Sequence, residues 1–232
     1  MTPPVGQPCP AALRSLARRD PALGRLLQEV GPFPGIGGPR TADSHFHALA
    51  RSIIYQQLAG RAAKTIHDRV RRLGPGRRFP TAPEILRLPE QRLRAAGLST
   101  AKHRAIVGLA RAVEDRTLPL RSIARLEDEA IVERLTRLHG IGTWTAEMFL
   151  MFRLGRLDVM PAGDLGVREG IRILDRLPER PTPARVLERA EPWRPLRSVA
   201  TWCLYRATDR AKSPSARSRA EAEEAGTDDV AA

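Results

Sequence analysis

Cysteine is nearly absent from this sequence: Cys9 and Cys203 are the only two among 232 residues. That is too few for a disulfide framework, a zinc site or an iron–sulfur cluster. Lysine is also scarce, since only Lys64, Lys102 and Lys212 are lysines among 39 basic residues. No apolar run approaches the roughly 20 residues that span a bilayer. The opening Met1-Thr-Pro-Pro-Val-Gly has neither the charged nor the apolar region of a secretory signal. These absences lead us to expect a reduced, cytoplasmic protein without a membrane partner. The five histidines, His45, His47, His67, His103 and His139, form no H-E-x-x-H or comparable pattern and receive no catalytic role. No stretch alternates in the manner of a strand, and no internal repeat is visible.

What the chain does hold is apolar residues (42%) and charge (28%), enough to build a core and to argue against global disorder. The formal net charge of +13 and a pI near 11.2 favour a polyanionic partner such as nucleic acid, although part of this bias reads as the arginine codons of a GC-rich genome. Apolar residues recur at helical spacing from Ala11 to Val30, with a break at Asp20-Pro21, and again from Asp43 to Leu73, with a break near Gly60. Thr81-Ala-Pro-Glu84 is a capping box, Glu90–Ala95 a short helix, and Ser99 a cap for a helix from Thr100 to Asp115. Further helices are predicted over Leu126–Leu138, Thr143–Leu154, Leu165–Leu177, after Thr182-Pro183, and over Leu196–Asp209. The expectation is an all-α chain of many short helices over 11–210, with residues 1–10 and 211–232 as disordered tails.

The chain is organised around Leu138–Asp164. Gly140 and Gly142 separate two apolar helical patterns, and glycine lets a backbone turn tightly and approach another surface. Thr143 opens the second helix, whose first N–H groups have no intrahelical partner and carry a partial positive charge suited to phosphate. The same pattern also describes an ordinary helix–helix connection. Asp164 stands where a helix N-cap belongs, ahead of Leu165-Gly-Val-Arg. It caps a helix in any case, and a carboxylate held as an anion there could also face a cationic sugar or activate a water. Trp144 follows the turn and reads either as a packing residue or as a ring on which a cationic base stacks. Tyr55-Gln56-Gln57-Leu58 ends an apolar helix and is either a solvated helix end or a wedge for an opened base stack. Trp193 and Trp202 read as packing residues.

Taken together, Leu138-His-Gly-Ile-Gly-Thr-Trp-Thr-Ala and the Asp164 region resemble the helix-hairpin-helix (HhH-GPD) DNA glycosylase superfamily, and most closely its 3-methyladenine DNA glycosylase II branch. The segments Ala50-Arg-Ser-Ile-Ile-Tyr-Gln-Gln-Leu-Ala-Gly-Arg-Ala-Ala, Asp158-Val-Met-Pro-Ala-Gly-Asp-Leu-Gly-Val-Arg and Trp193-Arg-Pro-Leu-Arg-Ser-Val-Ala are typical of that branch, in the right order over roughly 42–210. The resemblance implies a two-lobed helical fold, a hairpin at about 127–154 and an active-site cleft between the lobes; the separate N-terminal β-domain of a well-known branch member is expected to be missing, because few residues precede the first shared helix. It implies Asp164 as the catalytic aspartate and a base pocket formed by Trp144, Met148, Tyr55 and Leu196. DNA contacts are implied for Gly140, Ile141, Gly142, Thr143, Gln56, Gln57 and Leu58, with Gln57 ahead of Leu58 as the wedge. Carbonyls of Thr136, Leu138 and Ile141 match a monovalent-cation site, Na⁺ or K⁺, in relatives; no cofactor is otherwise required.

Trp144 occupies the position of the lysine used by lyase-type members, and an indole forms no Schiff base, so the implied enzyme is monofunctional. Its expected partner is double-stranded DNA carrying alkylated purines, 3-methyladenine foremost, bound by a monomer. Three departures stand out: His139 replaces the usual hairpin proline, and Met148 and Leu196 replace aromatic residues of the pocket. Two other readings stay open. One is a glycosylase for deaminated or mismatched bases; the other is a helix-hairpin-helix protein that grips damaged DNA without chemistry.

Overall fold

The computed structural model of the chain describes residues 6–37, 44–58 and 60–212. Every regular element among them is helical, and the chain divides into two compact units. One unit combines residues 1–35 with 157–232; the other is the continuous stretch 36–156. No helix among the described residues is long and apolar enough to cross a membrane.

The discontinuous unit begins with α1 (Pro10–Arg19) and α2 (Pro21–Val30), separated by the predicted Asp20-Pro21 break. Pro21 has the fixed φ that suits a first helical position, and the Asp20 carboxylate accepts the Leu23 N–H at 3.0 Å. After residue 157 come α10 (Leu165–Leu174), α11 (Pro183–Ala190) and α12 (Arg197–Ala211). Helices α10 and α12 cross so closely that a Cβ on Gly170 would lie 2.5 Å from Leu204 Cβ. Leu16, Leu23, Val167, Val186, Trp193 and Val199 are fully buried, and Phe33 stacks edge-on against Trp202.

A buried acid anchors this core. Asp20 is 6% exposed; its second oxygen accepts from Arg189 and, at 2.7 Å, from the Trp193 indole. Arg189 also donates to Asp175 and lies over the Trp193 ring. Burial pushes the Asp20 carboxyl up, but Arg189, the Leu23 N–H and the indole N–H outweigh it and hold the group below its ordinary value.

The continuous unit holds α3 (His45–Tyr55), α4 (Gly60–Arg71), α5 (Ala82–Arg87), α6 (Glu90–Ala95), α7 (Thr100–Glu114), α8 (Asp128–Thr136) and α9 (Thr143–Phe152). Helix α3 packs on α4, α7 and α9 through Leu49, Ile53 and Ile54, all fully buried. Predicted caps form as expected, Ser99 accepting an N–H three residues on and Glu84 closing the Thr81 box, and Ser44 caps α3 in the same way. His47 and His67 meet head-on, with Nε2 atoms 2.7 Å apart and ring planes within 7°. Phe79 stacks on His47 at 4.3 Å and on His67 at 5.6 Å.

Most predicted boundaries shift by a residue or two, but α10 ends at Leu174 rather than Leu177. Arg176 takes a left-handed φ of 52°, which ends the helical hydrogen bonding earlier than apolar periodicity suggests. Residue Pro10, placed in the expected N-terminal tail, opens α1 instead, because proline suits a first turn. Ala211, placed in the expected C-terminal tail, is likewise the last residue of α12, and residues 1–5 and 213–232 of the expected tails lie outside the described residues.

Candidate active site

The hairpin connecting α8 to α9 is built almost entirely from backbone. Leu138 N–H returns to the Leu135 carbonyl and Ile141 N–H to the Leu138 carbonyl, both at 3.1 Å. Gly140 has a φ of 83°, and a Cβ there would sit 2.5 Å from Ala105 Cβ on α7. Glycine is therefore required twice over, by conformation and by space. Gly142 differs: its φ is −93° and a Cβ would meet nothing within 4 Å. It serves as the N-cap of α9 without a side-chain cap, and the N–H groups of Gly142 and Thr143 find no acceptor among the described residues. Ile141 is 3% exposed, so only its backbone can meet a ligand. His139 and Gly140 are exposed at the tip.

Trp144, in the first turn of α9, is 42% exposed. Met148 follows at i+4, on the same helix face, and is half-buried. Tyr55 ends α3 half-buried, with the Arg51 guanidinium 5.1 Å above its ring and His67 at its edge. Beyond it the chain leaves the helix. Gln56 turns inward, and its amide donates to the Gly140 carbonyl and to Thr145 Oγ1, both at 3.0 Å. Gln57 is exposed and takes a left-handed φ of 54°, and Leu58 is 38% exposed. The Gln-Gln turn and the glycine hairpin are thus joined by one side chain.

In the other unit, Asp164 caps α10, with Oδ1 accepting the Val167 N–H at 2.9 Å. The residue is half-buried. It sits at the N-terminus of α10, the end that carries the partial positive charge of the helix. The strap that leads to it is tied to the start of α12. Val159 N–H donates to Ser198 Oγ at 2.9 Å, and Arg197 donates to both Asp158 oxygens, at 2.8 and 3.1 Å. Arg194 also donates to Asp158, at 2.9 Å. Leu196, expected in a base pocket, is the N-cap of α12 and is 4% exposed.

Of the predicted site residues, Tyr55, Gln56, Gln57, Leu58, Trp144, Met148 and the hairpin belong to the continuous unit, whereas Asp164 and Leu196 belong to the discontinuous one. Sequence reasoning missed Asp158, Arg197 and Lys102. The first two stand in the branch-typical segments, but nothing in those segments says that they pair with one another. Lys102 lies at the start of α7 and donates from Nζ to the carbonyls of Ile54 at 2.7 Å and Gln56 at 2.8 Å. A lysine in a chain that otherwise uses arginine was its only visible signal. Among the described residues no cluster of three His, Cys, Asp or Glu side chains comes together.

Residues 50–195 match the family described as HhH-GPD superfamily base excision DNA repair protein. The chain is 40% identical to the DNA-3-methyladenine glycosylase 1 of Schizosaccharomyces pombe over 69% of this chain and 71% of that protein. Among solved structures it is similar to the S. pombe 3-methyladenine DNA glycosylase Mag1 in complex with abasic DNA, with a TM-score of 0.77, 35% identity, and 88% of this chain and 98% of that one covered. It is also similar to a DNA-3-methyladenine glycosidase from Bacillus halodurans, with a TM-score of 0.76, 32% identity, and 86% and 89% covered. A glycine hairpin and a helix-capping aspartate in the expected order, within a helical fold shared at this level of identity, make this chain a member of the HhH-GPD superfamily of base excision DNA repair proteins, in its 3-methyladenine DNA glycosylase branch.

Proposed function

We propose that this protein is a monofunctional DNA glycosylase that extrudes N-alkylated purines from double-stranded DNA and hydrolyses their N-glycosidic bond. The observation that carries this reading is Asp164, a half-buried residue whose carboxylate caps the first turn of α10. An N-alkylpurine is already cationic and leaves readily, so the protein needs only to expose it and to stabilise positive charge developing on the sugar. Asp164 faces that charge or orients the attacking water. Trp144 offers an exposed indole, on which a charged base gains about 0.5–2 kcal/mol by cation–π attraction. Because residue 144 carries no amine, the product is an abasic site without strand cleavage.

The N–H groups of Gly142 and Thr143 suit a DNA phosphate at the N-terminus of α9. Gln57, exposed and set in a left-handed conformation, is the wedge that takes the place of the extruded base, with Leu58 beside it. The carbonyls of Thr136, Leu138 and Ile141 are hard oxygen donors of the kind that hold Na⁺ or K⁺. Leu138 spends one lone pair on Ile141 N–H and keeps another, which supports this reading. The protein acts as a monomer.

The test is incubation with methylated duplex DNA and chromatographic identification of freed purine. Wild type should release 3-methyladenine, and Asp164→Asn should bind the duplex equally while base release falls by about 100-fold or more. Release at the wild-type rate by Asp164→Asn would remove Asp164 from the reaction. Binding without any free base would favour a DNA-gripping protein, and a panel of deaminated and mismatched duplexes distinguishes the remaining specificity.

A further inference from the structure

Helix α7 touches both DNA-facing segments of the continuous unit within a single turn. Lys102 reaches the carbonyl of Ile54, in the last turn of α3, and that of Gln56, the residue that caps it. Three residues on, Ala105 is the surface against which Gly140 closes. Gln56 completes the triangle through its bond to the Gly140 carbonyl. At the apex stands Gln57, a non-glycine residue at a φ of 54°, a backbone state that persists only when its surroundings impose it. A compact ammonium with three donors can serve two converging carbonyls from one point, which a planar guanidinium fork does less well. The cation also sits at the negative end of α3, where charge is favoured.

We infer that Lys102 is a positioning residue for the DNA-probing turn. By holding the carbonyls on either side of Tyr55, it sets Gln57 in the conformation from which its side chain enters the opened base stack, and keeps that turn in register with the hairpin. This rests on the glycosylase reading above for its substrate, but not for its geometry. Loss of Lys102 should leave the hairpin able to hold phosphate and Asp164 able to act, while impairing the separation of a paired base from its stack.

The experiment compares wild type with Lys102→Met on a methylated base in a fully paired duplex and in an unpaired bubble. Because unpairing is already complete in the bubble, Lys102→Met should lose about 10-fold or more in single-turnover release from the duplex but less than about threefold from the bubble. The fluorescence rise of a 2-aminopurine beside the lesion, which reports unstacking on binding, should be lost in the variant. Equal losses on both substrates, or an unchanged fluorescence rise, would reduce Lys102 to a merely structural role. If Lys102→Met is not recovered folded, the same measurements on Lys102→Arg decide, with the same outcomes expected, since a planar fork serves the two carbonyls less well. Should wild type release no base at all, the glycosylase reading fails, and the fluorescence still answers the question about Lys102.

Discussion

In the discontinuous unit, the strap before Asp164 and the helices beneath it are tied by charged side chains, whereas in the continuous unit the hairpin and the Gln-Gln turn are held by backbone groups. Asp158 takes hydrogen bonds from Arg194 and Arg197, and Asp20 takes them from Arg189 and Trp193. On the other side, Gly140 seats on Ala105, and the ammonium and amide that secure the turn bind mostly to carbonyls. The difference suits the roles proposed for the two segments. A carboxylate that faces a developing cation is best held by a scaffold whose own charges are already paired. A segment that approaches a DNA backbone closely does better with few side chains and with N–H groups left available.

Three measurements bear on this contrast. The largest expected effect is on the charged side. Asp20→Ala leaves Arg189 and the Trp193 indole without their buried partner, and should cost about 3–5 kcal/mol in chemical denaturation. A loss below about 1 kcal/mol would mean that the pair adds little to this core. Gly140→Ala comes next. The new methyl forces a left-handed backbone on a residue with a Cβ and drives it into Ala105, for a cost of about 1–3 kcal/mol and a weakened grip on undamaged duplex. Gly142→Ala, where space is open, should leave stability within about 1 kcal/mol of the parent. Equal effects at the two glycines would contradict the backbone account.

The smallest effect is on acidification. Burial, followed by the neighbouring charges of His47 and Arg51, pulls the His67 pKa below its ordinary 6.5, and burial with Arg153 does the same for His45. As pH falls below 6.5, the unfolded chain takes up protons there before the folded one, so stability contributed by these groups is lost from that point downward. Asp20 behaves oppositely: its lowered pKa gives stability that persists until pH drops through the carboxylate range. Hydrogen exchange between pH 7 and 5 should therefore show α3 and α4 losing protection before α2 and α11. The reverse order would overturn this assignment of acid sensitivity.

Much of the fold was legible because its signals are local. The Asp20-Pro21 break, the Thr81 box, the Ser99 cap and the Asp164 cap each involve residues within a few positions of one another, and each formed as the chain predicted. The glycine hairpin is local in the same sense. Leu196 was less transparent: the resemblance put it in the base pocket, and its burial at the head of α12 was not legible in the chain. Asp158 with Arg197 and Asp20 with Arg189 could not be paired in advance, since 39 and 169 residues separate them in the chain. An arginine-rich sequence offers many candidate partners for each acid.

By itself, then, the sequence determined the helices, their caps, the hairpin glycines and the identity of the acid at 164, because these depend on backbone preferences and on contacts within a turn or two. Only the tertiary structure decided which charges meet, that Gly140 needs the space beside Ala105, and that a single lysine on α7 holds the end of α3. Those are choices among many chemically equivalent partners, and only the packing of distant segments selects one of them.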